Sequence, residues 1–267
     1  MLPFLLAFIY ATLYSFGIVG AANEGFTLEF WKEVWNDGNF FSSLFYSAII
    51  SAISLFLSVS FALYLTINYA KKLENKFVSY IIYMPLAMPG IVVAFFMLQV
   101  LSKAGFFSRI LNKLGLINGI QSFPELINDQ WAVGIVLAFF SVVMPFFLLL
   151  FLSVYKNERL AELKELAISL GAKPAQAKWR ISLKLLLYKT KTLISIYFIF
   201  LLGAYEIPLI LGQESPQMVS VLIVRELNQY DLSKISEGYV VAVMYTVIVS
   251  LFTIFLFANR KTEVVHA

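Results

Sequence analysis

Apolar residues run along this chain in long blocks separated by short polar segments. Six blocks are long enough to cross a bilayer as helices, which takes about 20 residues. They are Leu2–Ala22, Leu44–Ile67, Phe77–Leu101, Trp131–Tyr155, Thr192–Leu211 and Gly238–Ala258. None contains Lys or Arg, and Glu206 is the sole carboxylate inside any of them. The pattern predicts an all-α membrane protein with six transmembrane helices. No internal repeat or linker divides it, so residues 1–267 read as a single transmembrane domain. The first block lacks the basic n-region of a cleaved signal peptide and is longer than a typical apolar h-region, so it is expected to persist as a span.

Within the blocks, Ser47, Ser51, Ser54 and Ser58 recur at helical spacing and share one face of the second span. Small residues let helix backbones approach closely in lipid. Two readings fit: a helix-packing face, or a wall of a substrate path built from Ser51, Ser54 and Ser58. Pro85, Pro89 and Gly90 are expected to interrupt the third span, because each Pro removes a backbone donor and clashes with the preceding turn. Pro145 and Pro208 are expected to do the same in the fourth and fifth. Between spans three and four, "FFSRILNKLGLI" places apolar residues at 106, 107, 110, 111, 114 and 117. That spacing predicts a short amphipathic helix, lying on the membrane surface or docking a partner.

Charge then orients the chain. If the N-terminus is inside, the cytoplasmic segments carry 14 of the 20 Lys and Arg and the outer segments 6. Positive residues accumulate on the cytoplasmic side, so both termini are expected there. Composition agrees with a bilayer protein: 60% hydrophobic and 13% charged, against about a quarter charged in soluble domains. Chemistry is sparse. There is no cysteine, and the single histidine is His266, beside the last residue. This removes thiolate chemistry, thiolate-bound metal and Ser–His hydrolysis, and no cluster has metal-ligand spacing. The nearest approach to a phosphate loop, "GAANEGFT" at Gly20–Thr27, has Phe26 where a lysine must reach the phosphates. No catalytic residue, metal site or bound cofactor is expected.

The longest polar segment is 156–191. Leu160, Leu163, Ala167 and Leu170 fall on one helical face, with Glu158, Glu162 and Glu165 largely elsewhere. Gly171 is placed to end that helix, and Pro174 suits the first turn of the next. The second helix, through Ala177, Trp179, Ile181 and Leu183, leads into the fifth span. The acidic first helix and the basic second helix are expected to attract each other across the turn. The result is a helix–glycine–helix elbow, lying on the membrane or docking a partner.

The elbow "KELAISLGAKPAQAKWRISLKLL" resembles the EAA motif of permease subunits in binding-protein-dependent ABC importers, the MetI-like family. That motif reads Glu-Ala-Ala, three residues, Gly, nine residues, Ile, one residue, Leu-Pro. Glu165, Ala167, Gly171, Ile181 and Leu183 fall in register, while Leu166 replaces the second Ala and Lys184 the Pro. Losing that Pro implies a second helix running smoothly into the fifth span. The resemblance covers about 43–258 and implies a MetI-like permease fold with a cytoplasmic coupling helix, in a bacterial inner membrane. Glu165, Ala167 and Gly171 would couple to an ATP-binding subunit, with Leu170 and Ala172 packed in its cleft. The implied partners are two such ATPase subunits, which hold the ATP and Mg, a second permease (the same or a similar chain) and an extracytoplasmic binding protein.

"GAYEIPLILG", Gly203 to Gly212, resembles permeases of the polyamine and ferric-iron branch. A carboxylate inside a span is costly unless it faces water, the bundle interior or a partner charge. Glu206 thus reads either as a point on the path of a cationic cargo, or as an interfacial group satisfied beside the Pro208 break. The rivals from other classes are an ion-gradient-driven secondary transporter, which usually needs repeats or several intramembrane charges, and a non-transporting membrane scaffold.

Overall fold

The computed structural model describes residues 2–20, 25–73 and 75–258. His266 and the end of the first expected span at Ala22 lie outside them. Every regular element among the described residues is helical. In chain order these are α1 (Leu2–Ser15), α2 (Glu29–Asp37), α3 (Asn39–Leu73), α4 (Lys76–Tyr83), α5 (Gly90–Leu101), α6 (Phe106–Lys113) and α7 (Val133–Asn157). There follow α8 (Leu160–Ser169), α9 (Pro174–Gln176), a wide-wound segment Ala177–Leu183, α10 (Lys184–Leu202), α11 (Glu206–Leu211), α12 (Val219–Leu227) and α13 (Leu232–Ala258).

Five helical stretches among the described residues are long and apolar enough to cross a membrane: Asn39–Leu73, Gly90–Lys113, Val133–Asn157, Pro174–Leu202 and Leu232–Ala258. The expected count was six, and the first block accounts for the difference. Its helix α1 has 14 residues, about 21 Å at 1.5 Å per residue, against a hydrocarbon core of about 30 Å. It ends at a turn in which Gly17 takes φ +70°. The third expected crossing is split, as its prolines predict: Pro85–Ala87 forms a single tight turn after α4, and α5 starts afresh at Gly90. The fourth is not. The helix α7 continues through Pro145, held by neighbours so closely packed that Ile135, Ala138, Phe147 and Phe151 are wholly buried. The fifth crossing is displaced toward the N-terminus: its helix ends at Leu202, so Pro208 lies inside the next short helix rather than at the break.

The chain forms two compact units, the division passing between Ile49 and Ile50 within α3. One comprises 1–49, 202–205 and 214–267. Its core is Val34, Phe40, Val219, Leu222, Val240 and Val241. Against α13, α1 stacks the Tyr14 ring on Tyr239 at 4.2 Å between centroids. The Val219 N–H donates to Ser47 Oγ at 2.8 Å; a polar bond of this kind in a membrane bundle averages about 0.6 kcal/mol. The other unit comprises 50–201 and 206–213. Here α7 is the central helix, and α11 packs on α5 and α7.

Candidate functional site

The elbow belongs to the second unit and is built by three local devices. First, α7 gives way to α8 through Glu158 and Arg159, the latter at φ +48°, and the wholly buried Leu160 anchors the start of α8. Second, α8 is closed by Gly171 at φ +94°. The Gly171 N–H donates to the Ile168 carbonyl at 2.9 Å and the Ala172 N–H to the Ala167 carbonyl at 3.0 Å. This pair of crossed bonds is the Schellman motif, which satisfies two of the carbonyls a helix end leaves open. Third, Pro174 sits at the first position of α9, after an extended Lys173. Both turn-forming expectations from the sequence hold in the backbone.

The second arm departs from ordinary winding. From Pro174 to Leu202 it is one 29-residue helical run, as the absence of Pro at Lys184 implies. Yet Ala177–Leu183 is wound as a π-helix, an energetically poorer form that recurs at functional positions. It carries Ser182 wholly buried, with no partner for its hydroxyl among the described residues. Lys178 Nζ donates to Asn68 Oδ1 at 2.5 Å, tying this segment to the end of α3. The arms attract each other at their base, where Lys189 meets Glu158 at 2.8 Å. Arg159 pairs within its own arm, at 3.8 Å from Glu162.

The elbow's tip is apolar and uncovered. Leu170 is 80% exposed and Leu166 57% exposed, with Leu163 and Ile168 also exposed. Of the predicted apolar stripe, only Leu160 is spent on the chain's own core. Glu165 and Gly171 are exposed, and Ala167 and Ala172 half-buried.

Glu206 lies on the other expected site. It opens α11, directly after the non-helical Gly203–Tyr205. Its carboxylate lies against Gly90, the first residue of α5: a methyl built on Gly90 would stand 2.5 Å from Glu206 Oε2. The carboxylate thus lies beside the N-terminal residue of a helix, where the macrodipole favours negative charge. It is exposed and, among the described residues, makes no ion pair. Ser51, Ser54 and Ser58 are wholly buried. Ser58 Oγ bonds back to the Ser54 carbonyl at 2.7 Å, while Ser51 and Ser54 have no hydroxyl partner among the described residues. Their burial favours the packing-face reading.

One polar cluster was not visible in the sequence. In the first unit, Glu33, Asn36 and Asp37 of α2 meet Ser233, Lys234 and Glu237 of α13 around a cavity of about 600 Å³. Lys234 donates to both Glu237 oxygens at 2.7 Å. Desolvation holds the Glu33 carboxyl above its usual range, reinforced by the Glu237 and Glu29 charges and opposed by Lys234. About 200 residues separate the two helices, and no local pattern pairs them. No group of His, Cys, Asp and Glu among the described residues could hold a metal ion.

The sequence profile of a family described as "binding-protein-dependent transport system inner membrane component" matches residues 54–260. No curated protein compared with the chain matches it. Among solved structures, it superimposes on a bacterial ABC transporter involved in the import of the acidic polysaccharide alginate. The TM-score is 0.71 at 18% identity, covering 100% of this chain and 94% of that one.

Proposed function

The chain belongs to the binding-protein-dependent transport system inner membrane components, and from that premise we propose how it works within its importer. It is a MetI-type permease subunit of an ABC importer, a non-catalytic multi-pass protein of the inner membrane that works with ATPase and substrate-binding partners. In our reading it pairs with itself or a similar permease, and the two halves enclose the path. Both termini face the cytoplasm, as the distribution of Lys and Arg predicts. ATP and Mg belong to the ATPase subunits.

The observation that carries the coupling role is the uncovered apolar tip of the elbow. Exposed Leu166 and Leu170 beside a firmly closed turn form a rigid knob that a cleft on another protein can bury. Ala167 and Ala172 keep the turn narrow, Gly171 sets its direction, and Glu165 offers a charge at the rim. The knob connects without interruption to the fifth crossing, so a push on it is carried into the membrane.

For cargo, Glu206 supports a small cation such as a polyamine or a metal complex, consistent with the branch that "GAYEIPLILG" resembles. Its carboxylate is exposed at the mouth of a helix break, beside the first residue of α5, and among the described residues it makes no ion pair. The transporter of similar fold imports an acidic polysaccharide, and an anionic cargo would be repelled here. Ser51, Ser54 and Ser58 hold α3 against its neighbours and shape the path from behind.

Reconstitution with the ATPase subunits and binding protein tests both assignments. Gly171→Leu and Glu165→Lys should assemble normally and lose ATP-coupled uptake; wild-type uptake by both would overturn the coupling role. Glu206→Gln should weaken uptake of a cationic cargo and spare ATPase coupling. Because the chain has no cysteine, a single Lys173→Cys can be labelled from either side, and labelling only from outside would overturn the orientation.

A further inference from the structure

The helix α6 is built inside out. Its fully buried residue is Ser108, whereas Phe106 is 59% exposed, Phe107 47% and Ile110 is exposed as well. A helix covering a protein core in water turns its apolar stripe inward. An outward stripe at the end of a membrane-crossing segment fits an interfacial helix, whose medium on that side is lipid.

Where α5 ends and α6 begins, the backbone leaves a cavity of about 670 Å³. Its walls are of two kinds. Phe96 and Val100, one turn apart on α5, and Phe106 on α6 supply an apolar slot; Gln99, Ser102 and Arg109 supply polar lining. Arg109 Nε donates to the Ala104 carbonyl at 2.9 Å, which aims the guanidinium while leaving its terminal nitrogens for another group. Among the described residues Arg109 makes no ion pair, whereas the neighbouring Lys103 pairs with Glu125 at 3.4 Å.

We propose that this groove binds one anionic phospholipid. The phosphodiester lies at Arg109, with Ser102 and Gln99 as further hydrogen-bonding groups, and an acyl chain runs down the slot past Val100 and Phe96. Charge complementarity selects the anion, since a guanidinium matches phosphate oxygens bidentately. The apolar wall selects a lipid over free phosphate, which would fill a small part of the cavity and leave the aromatic surface wet. The assignment rests on α5 lying in the bilayer and does not depend on the transport mechanism or cargo.

The test is native mass spectrometry of the purified full-length chain in neutral detergent. It is titrated separately with phosphatidylglycerol, phosphatidylcholine and glycerol phosphate. Wild type should retain one phosphatidylglycerol in preference to phosphatidylcholine. Arg109→Gln, at an exposed position, should weaken retention about tenfold, the scale of one charge-assisted hydrogen bond. Arg109→Lys should weaken it less, Phe96→Ser should weaken it, and Lys113→Gln on the far end of α6 should leave it unchanged. Unchanged retention in Arg109→Gln would overturn the site. So would equal binding of phosphatidylcholine, displacement by glycerol phosphate at matched concentration, or a groove closed to lipid because a second copy of the chain covers it.

Discussion

Gly171 offers the sharpest test of the elbow because its requirement is purely conformational. Its φ of +94° lies where side chains are disfavoured, yet a Cβ added there would meet nothing within 4 Å. Substitution by alanine therefore introduces backbone strain without a clash, costing roughly 1–2 kcal/mol. Two hydrogen bonds, at 2.9 and 3.0 Å, depend on the turn, so the strain is relieved by opening the end of α8. Hydrogen exchange should report this directly. The amides of Gly171 and Ala172 should exchange roughly 5- to 30-fold faster in Gly171→Ala, the range set by that energy. The buried base of the elbow at Leu160 should be unchanged. Asparagine tolerates the left-handed region, so Gly171→Asn should lie between wild type and alanine. Uptake should fall in the same order if the rigid turn transmits motion. Equal exchange in wild type and Gly171→Ala, or Asn as disruptive as Ala, would refute the conformational argument.

Four further outcomes follow from the packing. Gly90→Ala should preserve assembly, because the displaced atom is the end of a flexible carboxylate and alanine is the better helix former. It should nonetheless move the Glu206 carboxylate and reduce uptake of a cationic cargo; in a Glu206→Ala background it should have no further effect, a non-additivity measured by a double-mutant cycle. Ser51→Ala and Ser54→Ala remove hydroxyls without partners among the described residues, so thermal stability should hold or rise slightly; a change in cargo selectivity would show that they face the path. Ser182→Ala should likewise keep stability, and a loss of ATP-coupled uptake in it would give the π-wound segment a part in coupling. Glu33 has its carboxyl raised above the ordinary value of 4.5 in the folded chain, so its protonated form is the stabilising one. That contribution is full below the unfolded pKa and is lost as pH rises through the raised one. Melting temperature should therefore fall across that interval, and Glu33→Gln should flatten the dependence and raise stability at neutral pH.

The elbow was legible in the sequence because its determinants are local. Gly171 and Pro174 specify a turn through their own backbone preferences, and the apolar positions of α8 repeat at the helical period. Membrane class and most of the crossings followed for the same reason, since about 20 consecutive apolar residues have few alternatives to a bilayer helix. What the sequence could not settle depended on partners remote along the chain. A proline inside an apolar block breaks the helix at Pro89, yet at Pro145 surrounding side chains hold α7 continuous. The crossing expected to contain Glu206 ends before it, so the carboxylate is placed by its approach to Gly90, more than a hundred residues away. The pairing of Glu33 with Glu237, the Lys178–Asn68 bond and the outward-facing stripe of α6 arise in the same way. Helical periodicity tells which residues share a face; only tertiary packing decides what that face meets.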